Sequence, residues 1–203
     1  MNSPVYIFNT EKQFQNHLNF DLYYLLPAGF MDTQIVKHPS NIVYYDFNPQ
    51  ALAFKKTLVE QWDCSKQQLW QIVNDLDCVY CYSDYQVVDF DRLTNREKFD
   101  INWRNASPSD TMESFFTIKQ SNIQYQAFDI VNNPMLCGLV KQDTNKKYIW
   151  FSNCFDYKHS HSKAAQLASF DIFSKSAKRH QLFVHGLDPR RDDYCYSNAT
   201  QLF

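Results

Sequence analysis

The sequence predicts an α/β fold: a mostly parallel sheet with helices on both faces. Three observations point to it. Short apolar runs alternate with longer stretches whose apolar residues recur at helical spacing. Most of these runs are apolar at successive positions, as in strands buried on both faces. Two of the runs lead into Asp and then, two or four residues on, Asn-Pro, a cap followed by the proline favoured at the first helical position. The chain of 203 residues is read as one domain, 1–203, with an insertion at about 64–121.

The first strand is Leu22-Tyr23-Tyr24-Leu25-Leu26, closed by Pro27-Ala28-Gly29. The second, Ile42-Val43-Tyr44-Tyr45, ends at Asp46. Asn48-Pro49 then opens an amphipathic helix to about Trp62, on which Ala51, Phe54, Leu58, Val59 and Trp62 share a face. The third strand runs from Ile123 to Phe128 and meets Asp129. Asn133-Pro134 repeats the cap-and-proline device and predicts a short helix to about Lys141. Lys147-Tyr148-Ile149-Trp150-Phe151 is the fourth strand. Ser162 or Ser160 caps a longer helix carrying Leu167, Phe170, Phe173 and Ala177. Gln181-Leu182-Phe183-Val184-His185 is the fifth strand, stopped by Gly186. The arrangement is Rossmann-like, with a helical insertion between the second and third strands.

Composition narrows the chemistry. Only three glycines occur, Gly29, Gly138 and Gly186, where average usage gives about 14. No two are close, which excludes the Walker phosphate loop, the G-x-G-x-x-G dinucleotide turn and the G-x-S-x-G nucleophile elbow. A nicotinamide-dependent enzyme fails on the same ground. The net charge of −2 supplies no global field for nucleic acid or an anionic membrane. Lys178-Arg179 and Arg190-Arg191 are short basic pairs on a solvated face, so nucleic acid is not indicated. No apolar run approaches the ~20 residues of a membrane span. The N-terminus lacks a basic region followed by an apolar one, so the expected compartment is cytoplasmic. Cys78-Val79-Tyr80-Cys81 has no second pair at zinc-site spacing, and His159 and His161 are too close together to supply one. Cys64, Cys137, Cys154 and Cys195 complete a set read as reduced thiols, with no metal.

In parallel sheets ligands bind outside the carboxyl ends of the strands, near the point where strand order reverses. Asp46, Asp129 and Ser152-Asn153 fall at the ends of the second, third and fourth strands. Each aspartate alone reads as turn chemistry that starts the next segment. Their joint placement at one edge shifts the reading toward a site.

The order Leu25-Leu26-Pro27-Ala28-Gly29-Phe30, Tyr44-Tyr45-Asp46-Phe47-Asn48-Pro49, Phe128-Asp129-Ile130 and Trp150-Phe151-Ser152-Asn153-Cys154-Phe155 resembles the class I S-adenosylmethionine-dependent methyltransferases over roughly residues 20 to 190. The resemblance implies S-adenosylmethionine as cofactor. Pro27, Ala28, Gly29 and Phe30 then form the turn at its methionine part. Asp46 receives the ribose hydroxyls, Phe47 packs on the adenine, and Asp129 with Ile130 meets the adenine amino group. Ser152, Asn153 and Phe155 face the methyl acceptor, keeping the first and last residue types of the family's D/N/S-P-P-Y/F motif without its prolines. The family's first turn usually reads E/D-x-G-x-G, of which only Gly29 remains. Only 17 residues follow Gly186, so the resemblance implies a fold trimmed at its C-terminal edge.

Within the insertion, Leu69, Trp70, Ile72, Val73 and Leu76 predict a helix, and Pro108-Ser109-Asp110 predicts the start of another. Residues 64–121 and the C-terminal tail are the candidate surfaces for a protein partner, with extra packing over the sheet as the alternative. His159 and His161 read as loop residues near a helix start rather than general bases. Two functions follow. One is a methyltransferase acting on an unidentified acceptor. The other is a non-catalytic methyltransferase-like scaffold, an accessory protein of viral type in a host cytoplasm.

Overall fold

The computed structural model describes residues 5–6, 23–28, 41–75, 79–80, 92–105, 118–140, 147–152, 154–156, 162–186 and 188–190. Its centre is a five-stranded, wholly parallel sheet. The strands are β2 (Tyr23–Pro27), β3 (Asn41–Asp46), β5 (Asn122–Ala127), β6 (Lys147–Ser152) and β7 (Leu182–Gly186). They lie in the order β5-β3-β2-β6-β7. Two strands absent from the sequence reading, β1 (Val5–Tyr6) and β4 (Val79–Tyr80), pair in parallel as a separate ribbon.

The order means that the chain starts in the middle, winds outward to β5, then crosses to the other side of β2 and winds outward again. With crossovers of one hand, this reversal sends the connections of the two halves to opposite faces. The packing agrees. Leu26, Ile42, Tyr44, Tyr148 and Trp150 point to one face. There they meet α1 (Pro49–Gln61), α2 (Lys66–Asp75) and Phe99 of α3 (Asn95–Asn105). Leu25, Val43, Tyr45, Ile149, Phe151 and Val184 point to the other, against α4 (Lys163–Arg179) and the turns of 130–140. The alternation is the two-residue period of strands buried on both sides.

Local chemistry sets the helix ends. The Asn48 side chain accepts from the Gln50 N–H at 3.0 Å and Pro49 takes the first helical position. Trp62 ends α1, fully buried, with its indole N–H donating to the Ser65 carbonyl at 2.8 Å. Cys64, at φ 72, turns the chain into α2. Ser162 caps α4 through the Ala165 N–H. The described part of 64–121 is mainly helical, α2 and α3 with β4 between them. The predicted helix start at Pro108 lies outside the described residues.

One predicted element is corrected. Residues 133–140 form chained turns, not the start of a helix. The Leu136 N–H bonds to the Asn133 carbonyl at 3.1 Å and the Leu139 N–H to Leu136 at 3.2 Å, each closing over three residues. Leu136 at φ 56 and Gly138 at φ 88 take left-handed backbone that no α-helix accommodates. Tertiary bonds hold this shape: Ser169 and Ser176 of α4 donate to the carbonyls of Val131 and Met135. Among the described residues, no helix is long and apolar enough to cross a membrane.

Candidate functional site

Because every strand of the sheet runs the same way, all carboxyl ends fall on one edge. In order across it stand Asp129, Asp46, the Pro27-Ala28 turn, Ser152 and Gly186, in the register Pro27 to Tyr45, Asp46 to Ala127 and Ser152 to Gly186. The reversal of winding lies between β2 and β6, so this is the crevice where such sheets take ligands. Asp46 and Ser152 sit on either side of β2, two strand spacings or roughly 10 Å apart.

Asp46 ends β3 and is part-buried. Its carboxylate accepts the Asn48 N–H at 2.9 Å, and its carbonyl accepts from Phe128, tying it to the end of β5. Burial dominates its titration, raising the carboxyl from the ordinary 3.8 to about 6. The N–H groups of Asn48 and Phe47 oppose that rise, and the nearby Asp129 charge adds to it. Among the described residues, neither acid is in an ion pair.

Asp129 accepts the N–H groups of Val131 and Asn132, both at 3.0 Å, and the Asn132 amide at 2.7 Å. The same two-residue turn recurs after β7, where Asp188 accepts from the Arg190 N–H at 3.0 Å. Asp188 also grips the Arg190 guanidinium at 2.6 Å, which lies 5.0 Å over the Phe170 ring. Turn formation therefore occupies each strand-end aspartate, and it occupies Asp129 most fully. Asp46 keeps more of its accepting capacity for something else.

The other sequence-predicted residues divide sharply. Phe47 is 64% exposed, an unusual position for a phenylalanine, with its ring open beside Asp46. Ala28 is buried, and its N–H donates to the Tyr45 carbonyl at 3.2 Å, fixing the turn after β2. Pro27 and Ser152 end β2 and β6. Gly29, Phe30 and Asn153 lie outside the described residues, as do Cys78, Cys81, His159 and His161. Ile130, next to Asp129 in sequence, is buried in the core cluster with Leu136, Leu139 and Val140. Phe155 is also in the core. It sits in a single 3₁₀ turn, fully buried, 5.1–5.6 Å from the rings of Phe151, Phe170 and Phe173. Its expected place facing an acceptor is corrected on that ground: the chain turns inward after Ser152, and the ring completes an aromatic cluster.

Sequence reasoning missed one residue at this edge. Gln50, in the first turn of α1, has a side-chain oxygen that is buried and, among the described residues, without a hydrogen-bond partner. Its position just after the Asn48-Pro49 start was the available signal, since that start places it beside the strand end. No group of three His, Cys, Asp or Glu suited to a metal occurs among the described residues.

Fold and edge together define a doubly wound, Rossmann-like α/β protein with Asp46 and Asp129 at the carboxyl edge of its sheet. Comparison with family models, curated proteins and solved structures finds no match for this chain.

Proposed function

We propose that this protein binds S-adenosylmethionine in the crevice between β2 and β6 and transfers its methyl group to an acceptor yet to be identified. The observation that carries the reading is Asp46, a part-buried carboxylate outside any ion pair among the described residues, at the switch-point edge beside an exposed Phe47. The residues fit an unphosphorylated nucleoside. A carboxylate receives two vicinal hydroxyls as charge-assisted hydrogen bonds. An open ring offers a stacking face.

Bound, the cofactor would supply an electrophilic methyl on a sulfonium. What remains for the chain is orientation and exclusion of water, because an already nucleophilic acceptor needs alignment more than a base. Asp46 would hold the ribose and Phe47 the adenine. Asp129, with Ile130 behind it, would shape the adenine end, and Pro27, Ala28, Gly29 and Phe30 would line the methionine side. Ser152, with Asn153 next in sequence, is the acceptor-side pair.

A second reading has its own support. With Phe155 in the core and one glycine at the cofactor turn, the acceptor side is reduced, as expected of a non-catalytic scaffold working through residues 64–121 or the tail. Titration calorimetry and thermal shift with S-adenosylmethionine and S-adenosylhomocysteine test the first reading. Ligand at a hundredfold its Kd stabilises the fold by about 2.7 kcal/mol. Asp46→Ala is expected to weaken binding by about 1.5–3 kcal/mol. The absence of any shift at millimolar cofactor excludes this reading and leaves the scaffold.

A further inference from the structure

The two edges of the sheet are not alike. At β7 the pairing with β6 slips between Trp150 and Ser152, and Leu182 and Val184 are buried. At the other edge β5 pairs with β3 in unbroken register over six residues, none of them fully buried, and Asn122, Gln124 and Ala127 are exposed. Phe128 donates its N–H to the Asp46 carbonyl, so by the alternation of a strand residues 122, 124 and 126 also turn their main-chain groups to β3. Those of Ile123, Tyr125 and Ala127 therefore point away from the sheet. Among the described residues, β5 has no strand on that side, and Ile123 and Ala127 have no hydrogen bond there. Native edges are guarded by charge, proline or a bulge, because an open row of main-chain groups templates pairing. The run Asn122-Ile123-Gln124-Tyr125-Gln126-Ala127 carries none of the three.

We infer that β5 is the interface with a second copy of this chain, the two strands pairing antiparallel about a two-fold axis at Tyr125. A second copy is selected because this strand is complementary to its own reverse. With Tyr125 opposite its own image, Ile123 and Ala127 of the second copy exchange both main-chain hydrogen bonds, and symmetry repeats the exchange. On the other face of the strand Gln124 meets Gln126 of the second copy. The Gln126 amide nitrogen already donates to the Gly138 carbonyl at 2.9 Å, which leaves its oxygen to accept from Gln124. No charge on the strand meets a like charge. Two five-stranded sheets thus become one, and their carboxyl edges, with Asp46 and Asp129, open to opposite sides. The irregular β7 edges stay outermost, so assembly closes at two. A contact confined to strand edges is small, which makes the dimer reversible at roughly micromolar concentration.

Sedimentation velocity of the full chain from about 1 to about 200 μM is expected to show monomer giving way to dimer. Ala127→Pro removes an outward N–H without taking a bond from the β3 ladder, a change edge strands tolerate. That variant is expected to stay monomeric throughout, with far-UV circular dichroism unchanged. Charge tests the register. Gln124→Lys with Gln126→Lys sets lysine against lysine at two places, whereas Gln124→Lys with Gln126→Glu sets lysine against glutamate at the same two. The first double variant is expected to dimerise about tenfold more weakly than the second, and this comparison decides the question should the proline variant not fold. A wild type that is monomeric at every concentration overturns the inference. So does a dimer that Ala127→Pro leaves intact, equal Kd values for the two charge variants, or growth beyond two copies.

Discussion

Replacing Phe155 by alanine asks whether this ring belongs to the core or to a substrate wall. The side chain is fully buried and meets three other rings at centroid distances of 5.1–5.6 Å. Phe→Ala at such a site typically costs about 3–5 kcal/mol, the transfer loss plus the cavity left behind. The upper part of that range is expected here, because Phe151, Phe170 and Phe173 also lie within 6 Å of one another and cannot collapse without disturbing their own tilted and edge-to-face packing. For a chain of this length each kcal/mol moves the melting temperature by roughly 2–4 °C, so a loss of about 4–5 kcal/mol lowers it by about 8–20 °C. Urea unfolding followed by tryptophan fluorescence measures the loss directly, with an unchanged m-value marking a change in stability alone. Phe155→Leu, which keeps most of the volume, costs under about 1.5 kcal/mol and serves should the alanine variant not fold. A loss below about 1 kcal/mol for the alanine variant would show that the ring is not packed as described.

Three further outcomes follow from other parts of the molecule. A Cβ at Gly186 would stand 2.5 Å from ring atoms of Phe151, so Gly186→Ala is expected to cost about 1–3 kcal/mol, partly recovered by Phe151→Leu; thermal melts of the single and double variants decide it. Asp46 titrates at about 6 in the folded chain against 3.8 unfolded, so its share of stability is full below pH 3.8 and is lost as pH rises through 6, about 2–3 kcal/mol in all. Asp46→Asn therefore flattens that decline and is more stable than the wild type at pH 8, and equal urea midpoints for the two at pH 8 would contradict the burial argument. A ligand that donates hydroxyls to Asp46 needs the ionised form, so its affinity for the wild type falls as pH drops below about 6, as calorimetry across pH 5–8 will show.

The strands were readable because burial on both faces writes the same signal at every position: Tyr44, Tyr45, Ile149 and Trp150 are all apolar, and all are in the core. The caps at Asn48 and Ser162 were readable because they depend on residues within three positions. The failed helix at 133–140 shows the limit. Asn133-Pro134 offered a good start, yet Ser176 holds the Met135 carbonyl of that segment and Ser169 the Val131 carbonyl just before it, from some forty residues away in sequence. Helix α3 was missed in detail although its reciprocal cap, Thr94 with Glu97, is a local signature; the mixed charge around it hid the period. At the edge, sequence order located Asp46, Asp129 and Ser152 together because a parallel sheet permits nothing else. Phe155 was placed at the edge because an apolar residue after a strand reads alike whether the chain turns outward or inward. The unsatisfied Gln50 oxygen depends on what fails to surround it, which no single sequence encodes.

The Tyr45 hydroxyl donates to the Trp150 carbonyl at 2.5 Å, reaching across β2 to join residues 105 positions apart. During synthesis, β2, β3 and β5 leave the ribosome well before β6. Until then the nascent sheet carries β2 at its rim, with its row of N–H and C=O groups on that side unpaired. Bare edges of this kind template pairing with other chains. A chain cut before Lys147 is thus left with an unpaired rim at Tyr23–Pro27 and is expected to aggregate, which light scattering of that truncation will show. The strand that completes the crevice is also the one that makes the first half of the protein safe to expose.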